Sequence, residues 1–240
     1  MNFNNLKNPY IIAEIGVNHE GDESKAIDLI QKAKNCGADA VKFQTYTNDN
    51  YISIDQIERK KRISKFCLSR KSFIKLYNYS KNIGINFFST PLNLDDVDFL
   101  DEYVKLFKIS SGDITFIPLI KKIAEKRKPT IISTGLSNYK EIRNAISSFE
   151  RIFPKAREKG FLMIMHCVAN YPAEKHILNL NNIENLKYKF KIPVGYSDHS
   201  LGTEACEIAV SKGVKIIEKH FTYRIQNQKF HDHKISADPK

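Results

Sequence analysis

The sequence predicts an α/β protein built as a (β/α)8 TIM barrel. Three observations carry this: eight short β-rich runs recur from end to end, helical periodicity separates most of them, and no linker or shift in composition divides the chain. Tyr10–Ile15 is the first run, and Ala26, Ile27, Ile30 and Ala33 then repeat at helical spacing before Ala40–Gln44. Residues 50–69 are longer than an ordinary barrel connection and predict a separate basic surface helix, with Glu58, Arg59, Lys60, Lys61, Arg62 and Lys65 as its solvated face. Asn86–Ser89, Leu106–Ser110, Thr130–Ser133, Phe161–His166, Val194–Ser197 and Lys215–Phe221 complete the set. Thr203 stands where it would cap the helix carrying Ala205, Ile208 and Ala209. Gly37, Gly84, Gly160 and Gly213 share one position, just past a helix and before a strand, where a left-handed cap is wanted. An open doubly wound sheet is the alternative, but Glu14-Ile15-Gly16-Val17-Asn18 stands where a dinucleotide-binding glycine motif would be. Residues 1–240 therefore read as one barrel domain, and Thr222–Lys240 show no eighth helix, so the barrel is expected to be truncated after strand eight.

The 240 residues are 42% hydrophobic and 27% charged, an ordinary globular composition. A net charge of +11 invites acidic ligands, yet the densest basic run lacks interleaved aromatics, which argues against nucleic acid. Cys36, Cys67, Cys167 and Cys206 have no metal-cage or disulfide-framework spacing and suit free thiols in a reducing cytoplasm. No apolar leader and no membrane-spanning stretch is visible, so a cytoplasmic protein without a membrane partner is expected.

In a barrel the chemistry belongs to the C-terminal strand ends. Here all eight are polar: Glu14 with Asn18 and His19; Lys42 and Gln44; Ser89 and Thr90; Lys108, Ser111 and Asp113; Ser133 and Thr134; His166; Ser197, Asp198 and His199; Glu218 and His220. Period-two alternation puts Lys42 with Gln44, and Glu218 with His220, on the inward face, while Val41 and Phe43 face the helices. Ionisable groups pointing inward are costly unless paired, ligated or open to the active face.

Three constellations follow. Lys42 and Lys108, with the hydroxyls of Ser111 and Ser133 and small turns at Gly112 and Gly135, suit a phosphate plus a carboxylate; a sugar phosphate would be served equally. His199 and His220 end neighbouring strands and could share a divalent ion, or hold structural or separate proton-transfer roles. Glu14, Glu218 and Asp232, with Asp198 beside His199, supply acid–base candidates. Asp198 faces away from Ser197 and His199 and is open to a structural role, as is His166; His231 and His233 flank Asp232 in a segment expected to be mobile.

At these residues the sequence resembles the sialic acid synthase family, which makes N-acetylneuraminate, legionaminate and pseudaminate. The similar motifs are IAEIGVNHEG at 12–21, VKFQT at 41–45, FFSTP at 87–91, KISSGDI at 108–114, ISTG at 132–135, HCVANYPA at 166–173, GYSDHS at 195–200, EKHFT at 218–222 and DHKIS at 232–236, in family order along the chain. The resemblance implies a (β/α)8 barrel that condenses phosphoenolpyruvate with an N-acylated amino sugar in its open aldehyde form. It implies phosphoenolpyruvate-binding roles for Lys42, Lys108, Ser111, Ser133 and Ser197, and Mn, Mg or Co held by His199 and His220. Glu14, Gln44, Asp113, Tyr171, Glu218 and Asp232 match polar positions around the sugar and the attacking water, with Glu14, Glu218 and Asp232 as the catalytic acid–base set. Ala169 replaces a polar residue common in the family, and Phe230-His231 replaces a Gly-Pro. The family continues through an eighth helix into a C-terminal domain similar to type III antifreeze protein, which caps the partner's site. The expectation is therefore a homo-oligomer, completed by a separate lid domain. The alternative is a non-catalytic or lid-dependent barrel that binds phosphoenolpyruvate but needs another chain for turnover. Another barrel lyase or aldolase is the remaining enzymatic reading.

Overall fold

A computed structural model describes residues 1–47, 51–228 and 230–240. The strands are β1 (Tyr10–Gly16), β2 (Ala40–Thr45), β3 (Asn86–Pro91), β4 (Phe107–Ile109), β5 (Thr130–Ser133), β6 (Leu162–Cys167), β7 (Val194–Asp198) and β8 (Ile216–His220). Between them run α1 (Glu23–Asn35), α2 (Ile57–Ser64), α3 (Arg70–Asn82), α4 (Leu94–Asp101), α5 (Ile117–Glu125), α6 (Tyr139–Ile152), α7 (Asn182–Phe190) and α8 (Glu204–Ser211). The ladders are parallel in the order β3-β2-β1-β8-β7-β6-β5-β4, and the two end strands lie alongside each other, so the sheet curls into a nearly closed barrel. All eight expected strands are present, each within a residue or two of its expected bounds.

Local sequence explains the elements. Asp22, Ser69, Asn93 and Asn138 each accept a backbone N–H of the helix they precede, satisfying donors that the first turn leaves unpaired. Thr203 does not: its hydroxyl donates to the Glu207 carboxylate at 3.0 Å and makes no cap bond. Gly37, Gly84, Gly160 and Gly213 all have positive φ, as their position required. The predicted basic helix is α2, which buries no side chain; the first residue of that predicted segment, Asn50, lies outside the described residues.

Alternation sorts the strand residues as expected. Val41 and Phe43 pack with Leu29 and Ile30 of α1 and Leu76 of α3, while Met163 and Met165 of β6 crowd Gly195 of β7 on the inner side. After β8 the chain does not form a helix among the described residues. Instead a 3-10 turn, His231–Ile235, leads into a parallel bridge between Phe221 and Ala237. This corrects the expectation of a mobile segment: Asp232 and His233 are buried, and His233 Nδ1 lies 2.6 Å from the Thr222 hydroxyl.

Candidate active site

Register brings the ionisable residues together. Glu14 pairs across the sheet with Lys42 on one side and His220 on the other, and Ser197 pairs with Glu218. A bulge between Glu14 and Gly16 ends this ladder. Gly16 has φ +54°, and a Cβ there would stand 3.2 Å from Glu14 Oε1 and 3.6 Å from both Gln44 and His220, so glycine leaves room for the cluster.

The result is a cleft of about 290 Å3 at the C-terminal mouth. Glu14, Lys42, Gln44, Lys108, Ser111, Ser133, Tyr171, Ser197, Glu218, His199 and His220 all line it. At its floor Lys42 Nζ lies 2.6 Å from Glu14 Oε2 and 3.7 Å from Glu218 Oε2, and Lys108 Nζ lies 3.5 Å from Glu218 Oε1. Ser197 donates to Glu218 Oε1 at 3.0 Å and Gln44 to Glu14 Oε1 at 3.4 Å. This mutual compensation is what allows four charged side chains to be buried together.

Their electrostatics diverge. Burial pushes the Glu14 carboxyl up to about 7 against the pull of Lys42, with the Glu218 charge adding to the rise. Burial acts on Glu218 too, but Lys108 and Lys42 outweigh it and hold that carboxyl at about 2. Burial would depress Lys42, yet Glu14 and Glu218 keep its ammonium favoured; Lys108 is lowered by burial, which Glu218 only partly offsets.

The two imidazoles stand above this floor with ring centroids 5.7 Å apart, and Tyr171 stacks on His199 at 4.2 Å. Burial lowers both histidines, His220 well below its ordinary range. His199 Nδ1 donates to the Val168 carbonyl at 2.7 Å, which leaves the lone pair on Nε2. His220 Nδ1 is buried, 4.0 Å from Asp232 Oδ2, with no hydrogen-bond partner among the described residues. Two neutral, buried imidazoles with ring centroids 5.7 Å apart fit two positions of a divalent cation's coordination sphere. Among the described residues no third His, Cys, Asp or Glu completes a metal group, so oxygens of water or substrate would have to fill the rest.

Other predicted residues stand further back. Asp232 is buried behind His220 with its Oδ1 3.0 Å from His231, and burial raises its carboxyl. Asp113 takes the Ser110 hydroxyl as a donor, and like Asp232 it is not among the side chains lining the cleft. Ser89 faces outward onto Thr45 at 2.7 Å, whereas its neighbour Thr90 accepts from Lys42 at 3.3 Å. His166 is structural, its Nε2 2.8 Å from the Leu178 carbonyl. Its neighbour Cys167 points into the cleft, 3.0 Å from Ser111 Oγ. The Gly135 N–H, expected to face a ligand, donates instead to Ser111 Oγ at 3.0 Å. Sequence reasoning missed Cys167, which the alternation Met163–Met165–Cys167 could have placed. It also missed Lys219, whose partner is Asp198 at 2.6 Å.

Charged groups gathered from four strands, β1, β2, β4 and β8, at one mouth of a parallel (β/α)8 barrel define an enzyme of the barrel class, its chemistry at the C-terminal ends. The NeuB family model matches residues 29–240. An uncharacterized protein of Methanocaldococcus jannaschii is 44% identical over 96% of this chain and 67% of its own length. The N,N'-diacetyllegionaminic acid synthase of Campylobacter jejuni is 39% identical over 98% of this chain and 73% of its own length. The crystal structure of an N-acetylneuraminic acid synthetase from Leptospira borgpetersenii superposes with a TM-score of 0.90 at 35% identity, covering 97% of this chain and 79% of that one. The chain belongs to the NeuB family, that of the sialic acid synthases.

Proposed function

We propose that this barrel condenses phosphoenolpyruvate with the open-chain aldehyde of an N-acylated amino sugar, in a metal-dependent reaction that yields a nonulosonic acid and phosphate. The observation that carries the reading is the pairing of Lys42 and Lys108 with two carboxylates at the floor of a cleft roofed by two neutral imidazoles.

In this reading Lys42 and Lys108 take the phosphate and carboxylate of phosphoenolpyruvate by charge-assisted hydrogen bonds, helped by Ser111 and by the Ser133 hydroxyl, which has no partner among the described residues. His199 and His220 would hold Mn, Mg or Co, which when bound polarises the aldehyde carbonyl. C3 of phosphoenolpyruvate then forms the new C–C bond to the aldehyde carbon, whose oxygen takes up a proton. Water adds at C2, its proton passes to Glu14, whose carboxyl titrates near neutrality, and the C2–O bond breaks to release phosphate. Gln44 and Tyr171 line the side of the cleft where the sugar would lie, and the Asp232 carboxylate, 4.0 Å from His220 Nδ1, would steady that ring by its charge rather than by a hydrogen bond.

Leu136 and Tyr171 are 91% and 48% exposed at the mouth, which favours a second reading for turnover: a further domain, carried by this polypeptide or by another chain, closes over bound substrates. The test is phosphate release from phosphoenolpyruvate with Mn2+ and a panel of N-acyl hexosamines. Release that needs both a sugar and the metal, and stops with EDTA, supports the proposal. Binding of phosphoenolpyruvate without turnover supports the second reading, and no binding contradicts both.

A further inference from the structure

We propose that the buried Asp198–Lys219 pair is a positioning device that fixes where His199 and His220 stand; the inference rests on the metal reading of those two imidazoles. β7 and β8 pair as far as Asp198 opposite Lys219, so each partner lies one residue before a histidine, on the face turned away from the cleft. His220 still belongs to β8, but His199 is the first residue past β7 and has no place in the β7–β8 ladder. Its hydrogen bonds are that of its ring to the Val168 carbonyl and the donation of the Ala173 N–H to its carbonyl, and Tyr171 stacks on its ring from the cleft side.

The pair supplies the rest of the support. Lys219 Nζ donates to Asp198 Oδ2 and to the Ser200 carbonyl, both at 2.6 Å, and Asp198 Oδ1 accepts the Ser200 N–H at 3.0 Å. The residues on both sides of His199 are thus tied to the residue before His220. Tyr196 donates to Asp198 Oδ1 at 2.9 Å, and Cys206 Sγ lies 3.5 Å from Oδ2, which completes the carboxylate's partners. A buried ion pair is a poor source of stability, since apolar groups of the same volume often do as well. It is directional, however, and it sits where two side chains from adjacent strand ends must meet one small ion. Groups behind metal ligands hold them in just this way.

The experiment titrates EDTA-stripped wild-type protein, the double variant Asp198→Asn/Lys219→Met and the single variant Tyr196→Phe with Mn2+ alone, then with phosphoenolpyruvate in the absence of metal. The double variant removes both charges together, so neither is stranded. It is expected to keep its circular dichroism and to bind phosphoenolpyruvate within about twofold of wild type, while Mn2+ affinity falls about tenfold or more; Tyr196→Phe should show a smaller loss of Mn2+ affinity alone. Unchanged Mn2+ affinity in the folded variants overturns the inference, and so does an equal loss for both ligands, which would mean general damage to the barrel. If the double variant does not fold, Tyr196→Phe decides by the same two readouts. Wild-type protein that takes up no Mn2+ overturns the metal reading itself, a failure distinct from that of the pair.

Discussion

Lys108 shows how much depends on single side chains at the floor. It is buried and faces Glu218, and Lys42 lines the same cleft close enough to share a bound anion. In Lys108→Ala the lost charge-assisted bond is worth on the order of 1.5–3 kcal/mol, so phosphoenolpyruvate affinity should fall about tenfold or more, with sugar affinity moving less. Isothermal titration with each substrate checks this; equal losses would point to a damaged barrel. His19 carries a different cost. It is 1% exposed, its Nδ1 accepts the Gly21 N–H at 3.0 Å, and burial depresses its pKa to about 4. Neutral His19 therefore adds stability that is fully present above the unfolded value near 6.5 and is lost as pH falls toward 4, on the order of 3 kcal/mol in all. Urea midpoints should drop between pH 7 and pH 4.5 by more in the wild type than in His19→Gln; parallel drops would contradict the assignment. At this scale alternation made Lys42, Gln44, Glu218 and His220 legible, because an inward charge stands out in an apolar strand. Cys167 was within reach of the same alternation, but a lone thiol beside a histidine carries no charge to prompt the question. Lys219 was not legible, because an outward lysine reads as solvated until its buried partner is seen.

Elements were legible wherever backbone demands act locally. β-rich runs, left-handed glycines and apolar periodicity located the strands and the helices between them, since each answers a need of its own few residues. α6 is the best-signed helix: Asn138 accepts the N–H groups of Lys140 and Glu141, and the Glu141 carboxylate accepts the Asn138 N–H at 2.8 Å. Asn138→Ala should cost about 1 kcal/mol of unfolding free energy with phosphoenolpyruvate affinity unchanged, as read by urea denaturation and titration. A loss beyond that range would mean that the cap also supports the Ser133–Gly135 end of β5. The Thr203 cap failed for a tertiary reason: Glu207, one turn on, takes the hydroxyl. The segment around Asp232 looked mobile because polar residues dominate it, and only the bridge from Phe221 to Ala237, sixteen residues apart in sequence, brings it onto the barrel.

Across the whole molecule, eight strand ends must converge before any site exists, so the cleft could be anticipated as a set but its internal pairing could not. Which lysine faces which glutamate follows from register and barrel closure. The outer surface makes its own prediction. Ile11, on the outward face of β1, and Ile208 of α8 are 37% and 48% exposed, leaving apolar side chains bare on the outside of the barrel. Sedimentation should give a mass above the 27.7 kDa of one chain, and a clean monomer would contradict this. The central claim, condensation of phosphoenolpyruvate through water addition at C2, is tested most directly with phosphoenolpyruvate carrying 18O in the C2–O–P bridge. With Mn2+ and an accepted N-acyl hexosamine, the account predicts that the label leaves with phosphate as an equal amount of nine-carbon keto acid forms. Unlabelled phosphate, or labelled phosphate released without any sugar, would contradict it.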